Sequence, residues 1–194
     1  MPDLLSKTSF CGTVTQLLAS PDREAGLEKQ RREAVILRFD GVEGDCHGGL
    51  SRKSDSRMLK QFKRGTVVKN ARQVSMLSEE ELAEVALKMG IPAIRPEWVG
   101  ANIVIRGIPD LTLLPPSTRM RFPSGAAIVV DLENLPCRYP ADIIARQHPE
   151  QKQGFVAAAR HKRGVVGWVE AEGDIRLGDS ITLWLPPRRL YFHA

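Results

Sequence analysis

The chemistry this chain could perform is concentrated in a few residues, and the first is a thiol. In "VVDLENLPCRYPAD", Val129 to Asp142, a β-branched run meets an Asn, a Pro and then Cys137, followed by Arg138 and a second Pro. Pro136 should break the strand, which sets the thiol at the strand's mouth. The Arg138 guanidinium and a helix start expected at about Ala141 would both favour the thiolate. A thiolate there is a nucleophile, a sulfur acceptor or a soft-metal ligand. A buried structural cysteine is the ordinary alternative, and local features leave both open.

A second group lies in "GVEGDCHGG", directly after an apolar run. Its glycines allow tight turns and close approach of backbone to a ligand, with Asp45 and His47 aimed at it. The plainer reading is a turn in which Asp45 satisfies local N–H groups. Cys46 and His47 are adjacent, and in an extended segment adjacent side chains point to opposite faces, so they are expected to be poor joint metal ligands. Asn102, in "GANIVIRG", either closes a turn on its own backbone or offers its amide to a ligand. Cys11 reads as a small hydrophobe in a core strand. His161 sits in "RHKRG" among cations that disfavour a further positive charge. His148 and His193 read as isolated and exposed, and Asp179 as turn chemistry.

The elements that would position these groups are mostly strands. "SFCGTVTQLL" (9–18), "AVILRF" (34–39, expected to be buried), "RQVSML" (72–77) and "ANIVIRG" read as strands, and "REAGLEKQRRE" as a polar loop. "MRFP" and "AAIVVDLE" form a hairpin around Pro123-Ser124-Gly125. Val165–Ala171 and Ser180–Leu185 are strands, with turns at 172–174 and 178–179. One helix, 79–89, is marked by Ser78 three residues before Glu81, by the apolar face Leu82, Val85, Ala86, Met89, and by Gly90 and Pro92 at its end. "PADIIARQ" and "GFVAAARHK" read as short helices. Strands and helices do not alternate, so the expectation is a mainly β chain with some α: a closed or strongly curved β-barrel of short strands with a few connecting helices.

The 194 residues suggest a single domain, 1–194, with its core at about 9–185 and a basic, aromatic tail at 186–194. No apolar run approaches the ~20 residues of a membrane span, and the first residues lack the pattern of a signal peptide, so no membrane association and a cytoplasmic setting are expected. Three cysteines without a CxxC argue against a disulfide framework or a structural zinc site. There is no GxGxxG, Walker loop, HExxH or GxSxG, which removes the common nucleotide, zincin and serine-hydrolase readings.

The net charge is +5, and from Arg52 to Arg72 there are eight Lys or Arg against one acid, Asp55. Such a run is either a solvated face or an anion-attracting patch. Nucleic acid is the weaker form of the second reading, because only Phe62 interrupts the cations and single-strand binding needs stacking platforms.

Taken in order, "GVEGDCHGG" with Arg52, "QVSMLSEEEL", "GANIVIRGIPDLTLLPPSTRMRF", "VVDLENLPCRYP" and "GVVGWVEAEGDIRLGDSI" resemble the MOSC family, the domain found at the C-terminus of molybdenum-cofactor sulfurases and as standalone bacterial proteins. The likeness covers roughly residues 9–185. It implies a strand-rich, barrel-like fold. It implies that Cys137 is the family's characteristic cysteine, a molybdenum ligand or sulfur acceptor, and that Asp45, His47 and Asn102 line the cleft. The usual pattern has Gly-Glu-Asn where this chain has Gly100-Ala101-Asn102, and often a basic residue where it has Cys46. The implied cofactor is molybdopterin, whose phosphate would find guanidinium forks at Arg52, Arg72 and Arg138; family-wide there is also an association with pyridoxal phosphate. The implied roles are reduction of N-hydroxylated substrates with electrons from a separate donor, or carriage of a persulfide or of the cofactor itself, supplied by a sulfur-donor protein. A nucleic-acid-binding barrel using the Arg52–Arg72 run is the third reading.

Overall fold

A computed structural model describes residues 4–22, 28–187 and 192. Along the chain it runs β1 (Ser6–Ala19), β2 (Gln30–Arg32), β3 (Ala34–Arg38), β4 (Gly41–Val42), β5 (Ser51–Lys53), β6 (Val67–Lys69), β7 (Val74–Ser78), α1 (Glu79–Met89) and β8 (Ile103–Arg106). It continues through β9 (Arg119–Arg121), β10 (Ala127–Glu133), α2 (Arg138–Gln147), α3 (Phe155–Ala158), β11 (Val165–Ala171), β12 (Gly173–Arg176) and β13 (Ser180–Leu185).

Seven strands close a barrel in the order β13-β9-β10-β11-β7-β8-β1, sealed by the β1–β13 pairing, with β2 added along β1. All neighbours are antiparallel except β7 and β8. Strands β12, β3 and β4 form a small second sheet, and β5 with β6 a separate two-stranded ribbon. The expected closed barrel with a few short helices is what the chain forms.

Two apolar cores explain why β7 and β8 are continuous hydrophobic runs. Met76, Ile103 and Ile105 point into the barrel with Val14, Met120, Ile128 and Leu183. The alternate residues Leu77 and Val104 point outward and pack beneath the helices with Leu82, Val85, Met89, Ile144 and Phe155. A parallel pair covered on both faces has no polar side to show. Helix α1 begins where Ser78 Oγ accepts from the Glu81 N–H (3.2 Å) and ends at Gly90 in the left-handed conformation (φ 69°). The Glu81 carboxylate does not reach back to the cap. It is buried, and accepts from Thr112 N (3.1 Å) and Thr112 Oγ1 (2.6 Å), and burial pushes its pKa up.

Several expectations need correction. Strand β3 is half-buried, not buried: Val35 and Leu37 face the core, while Ile36 and the following Phe39 are exposed. Part of the polar loop, Gln30–Arg32, is a strand. Gly173 and Asp174, read as turn, open β12. Cys11 faces solvent from β1, and so is not a core hydrophobe. His148 is half-buried, its ring edge-on to Trp98 at 5.7 Å and its Nδ1 2.9 Å from Glu150. His193 and most of the 186–194 tail lie outside the described residues.

Candidate functional site

Asp45 is the fixed point of the site. Its loop leaves β4 through a turn closed by Asp45 N to Val42 O (3.0 Å) and Gly48 N to Asp45 O (3.1 Å). The carboxylate is fully enclosed beside an equally enclosed Lys29, whose Nζ donates to Oδ2 at 2.7 Å. Oδ2 also accepts from Ser20 N (3.1 Å) and Asn102 Nδ2 (3.1 Å), and Oδ1 from His47 N (3.0 Å). Burial alone would raise this carboxyl's pKa. The hydrogen bond from His47 and the Lys29 ammonium outweigh it and hold the group well below the usual carboxylate range. Burial also lowers the Lys29 pKa, against the pull of Asp45.

From Asp45 a closed circuit of hydrogen bonds runs through four segments. Asn102 Nδ2 donates to Asp45, and Asn102 Oδ1 accepts from Ser75 N (3.0 Å). Ser75 Oγ accepts from Asn134 Nδ2 (3.0 Å), and Asn134 Oδ1 from Arg72 Nη2 (3.0 Å). Arg72 N donates to Asn70 Oδ1 (3.1 Å), Asn70 Nδ2 to His47 O (3.0 Å), and His47 N back to Asp45. Asn102 therefore ties strands to Asp45, its other amide hydrogen bond going to Leu18 O (3.2 Å). It does not close a turn on itself.

Three residues beyond Asn134 of this circuit comes Cys137. The thiol is exposed and occupies the N-cap of α2 without capping it. The helix starts at Arg138, three residues earlier than expected, because Pro140 is tolerated within a first turn that needs no N–H donor there. Arg138 does not face the thiol: its side chain is 89% exposed and its Nε donates to Asp142 at 3.1 Å. The cations in electrostatic reach of Cys137 are Arg57 and Arg163.

Arg163 is the unusual one. It is 6% exposed, Nη2 donates to Val99 O, and Nε and Nη1 find no partner among the described residues. Burial, with Arg72 and Arg57 nearby and Cys137 opposing, pushes its pKa down to about 10. Arg72 is likewise pushed down to about 10 by burial and by its neighbours Arg57 and Arg52. Arg52 sits on the β5–β6 ribbon, with Nη1 on Asp55 (3.1 Å) and Nη2 on Met58 Sδ (3.1 Å). Arg57 and Arg163 thus act on one exposed thiol, and Arg72 and Arg52 extend the cationic group away from it with Asp55 and Asp131 interspersed, an arrangement suited to an anion that also carries a soft, sulfur-seeking centre.

Of the residues expected from sequence, Asp45, His47, Asn102 and Arg72 share one network, Cys137 follows Asn134 of that network by three residues, Arg52 borders Arg72, and Arg138 stands apart. Lys29, Arg57, Asn134 and Arg163 were not expected. Asn134 lies within the quoted "ENLPC", and Arg163 follows the "RHK" read only as charges around His161. That histidine is exposed and bonds Glu133 through Nδ1 (3.1 Å). Cys46 and His47 also differ from expectation. Their loop is a turn and not an extended segment, so Cys46 Sγ and Asp45 Oδ1 each approach His47 Nδ1 at 3.3 Å. The Asp45 oxygens already accept from several donors, which makes them poor metal ligands. Ala101, where the family pattern has Glu, is a fully buried methyl in the helix-side core. Two clefts, about 390 and 460 Å³, lie elsewhere, one along α1 and one beside Trp184.

The chain is a small closed barrel with a proline-flanked, exposed thiol in the field of Arg57 and Arg163. Residues 43–182 match the MOSC domain, and the chain belongs to that family. A relative in Bacillus subtilis (strain 168), YuaD, provisionally assigned to metal-sulfur cluster biosynthesis, is 45% identical over 146 residues, 74% of this chain and 76% of YuaD. The crystal structure of the Bacillus subtilis YuaD protein superposes with a TM-score of 0.88 at 36% identity, over 94% of this chain and 100% of that one. YiiM from Geobacillus stearothermophilus shares the fold, with a TM-score of 0.60 at 14% identity over 89% of this chain and 74% of that one.

Proposed function

We propose that this protein binds an anionic metal-sulfur cofactor of the molybdenum-pterin type, with Cys137 as its soft ligand or as the acceptor of its sulfur. The observation that carries this reading is the buried Arg163, whose Nε and Nη1 are left without partners beside an exposed thiol. A buried guanidinium with open donors is costly unless an anion meets it, and a phosphate suits its planar fork. Arg163, Arg72 and Arg52 would hold the phosphate, and Cys137 the metal or its sulfur. When bound, molybdenum supplies two-electron redox chemistry.

The chain's own residues do the rest. Asp45, locked by Lys29 and Asn102, orients the His47 ring through Nδ1 and leaves Nε2 as the nitrogen that can exchange a proton with a ligand. No flavin or iron–sulfur motif is evident in the sequence, so reduction of an N-hydroxylated substrate would draw electrons from a separate donor. The exposure of Cys137 favours equally a carrier that takes a persulfide sulfur and passes it on. Lys29, the lysine of this network, offers no free amine to a pyridoxal phosphate aldehyde, because it is buried and ion-paired to Asp45.

The test is metal and pterin analysis of protein produced with molybdate, with mass spectrometry of Cys137. Stoichiometric molybdenum and pterin that vanish in Arg163→Met support cofactor binding. One added sulfur on Cys137, absent in Cys137→Ser, supports the carrier. Protein with neither would overturn the reading.

A further inference from the structure

We propose that Asp55 sets the charge of the ligand: it is a built-in counter-anion on the guanidiniums of the candidate site, and only a multiply charged oxyanion, a phosphate monoester rather than a diester, competes with it. This rests on the anion-binding reading above.

Asp55 is the one acid in the run from Arg52 to Arg72. Its Oδ2 accepts from Arg57 Nη2 (2.6 Å) and from Arg52 Nη1 (3.1 Å), and both of its oxygens lie 3.2 Å from Arg57 Nε. Oδ1 also accepts from Arg57 N (2.9 Å) and so caps the short helical turn Ser56–Met58. The hydrogen bonds from Arg57 outweigh partial burial and hold this carboxyl well below the usual range, so it is charged at neutral pH. Its field reaches Arg72 as well. The carboxylate thus stands where an anionic ligand oxygen would stand, bridging two guanidiniums.

The bridge leaves the group short of acceptors. Arg52 Nε is buried without a hydrogen-bond partner among the described residues, and Arg52 Nη2 meets only Met58 Sδ (3.1 Å), a weak acceptor. Arg163 keeps two open donors. Asp131 also acts on Arg72, yet two carboxylates against Arg52, Arg57, Arg72 and Arg163 leave the group net positive.

Charge then decides what can enter. A monoanion that displaces Asp55 trades one negative charge for one and loses its own translational freedom in doing so. Asp55 is covalently tethered two and three residues from the arginines it bonds, so it competes at high effective concentration. A monoanion that enters beside Asp55 meets its repulsion instead. A phosphate monoester dianion brings more charge than it displaces, and three acceptor oxygens where the carboxylate has two. A like charge placed in a site is a means of rejecting the weaker ligand.

The test uses two phosphate esters on the full chain, methyl phosphate and dimethyl phosphate, at about pH 8, where the monoester is a dianion and the diester a monoanion. Binding is read by isothermal calorimetry as a saturating one-site isotherm, which general screening does not produce. The wild type is expected to bind methyl phosphate and to give no isotherm with dimethyl phosphate. Asp55→Asn keeps an oxygen for the cap and removes the charge. It should bind methyl phosphate about tenfold more tightly, the scale of one charge lost from a partly exposed site, and should now bind dimethyl phosphate too. Asp55→Ser should behave alike, and circular dichroism confirms that both variants fold. Unchanged or weakened methyl phosphate binding in both variants would overturn the role of Asp55 while the anion site stands. Tighter methyl phosphate binding with the diester still excluded would overturn selection by charge. Binding of neither ester to the wild type or to either variant would sink the anion-binding reading, and this inference with it.

Discussion

Cys137 stands at a helix N-cap, a position that rewards a hydroxyl more than a thiol, and it makes no capping hydrogen bond there. Only one nearby donor, the Tyr139 N–H, is available to a cap, because Pro140 has none. Cys137→Ser is therefore expected to hold or raise stability, by up to about 0.5 kcal/mol, while sulfur acceptance or cofactor retention is lost. Urea unfolding and mass spectrometry read the two effects separately; a variant that is destabilised and inactive together would point to a structural thiol. Asp45 is the opposite case. Asp45→Asn leaves the Lys29 ammonium enclosed without its counter-charge, and a loss of about 3–5 kcal/mol is expected. The pH sign follows from its depressed pKa. The folded state binds the proton less tightly than the unfolded one, so Asp45 stabilises at neutral pH, and that contribution drains away as pH falls through and below the ordinary carboxylate range. Urea midpoints measured from pH 7 to pH 3 should fall less steeply for Asp45→Asn than for the wild type.

At the level of elements, what could be read from sequence was what neighbouring residues decide. Helix α1 emerges with its expected ends because its cap, apolar face and Gly90 all lie within thirteen consecutive residues. The β9–β10 hairpin, β11 and β13 were legible for the same reason. What could not be read depends on where distant segments meet. Arg138 is beside Cys137 in sequence and turns away to Asp142, whereas Arg57 and Arg163 reach the thiol's field from other elements. A charge run shows no direction until the fold supplies one. The segment that delivers Arg163 is itself tightly specified. Gly164 has φ 74°, a Cβ there would strike the Met76 carbonyl oxygen, and its N–H donates to Thr112 Oγ1 (2.7 Å), which in turn donates to buried Glu81. Gly164→Ala should cost about 2 kcal/mol or more through left-handed strain and overlap. It should also lower anion binding by displacing the neighbouring guanidinium. Thermal unfolding with and without phosphate separates these outcomes, and a variant with wild-type phosphate response would show that Arg163 does not depend on this turn.

The whole molecule is a closed barrel in which, among the described residues, the buried and partly unpartnered Arg163 lies in the field of the half-buried Arg72. Both are pushed down to about 10, so both remain charged at neutral pH, and the folded state bears the cost of burying them first and of holding them near other guanidiniums second. The cost is present below the folded pKa and is relieved as pH rises from about 10 toward the ordinary arginine value. An anion seated among them removes the same cost while the charges persist. Inorganic phosphate or molybdate should therefore stabilise the protein at pH 7, by about 2.7 kcal/mol at a hundredfold excess over Kd, or roughly 5–10 °C in Tm for a chain of this size. The stabilisation should fade above about pH 10 and be absent in Arg163→Met. Sodium chloride at matched ionic strength is the decisive control, since general screening would relax the same repulsion without occupying a site. An equal rise in Tm with chloride, or an undiminished phosphate effect in Arg163→Met, would mean that the cluster is a diffuse field and not a seat for one ligand.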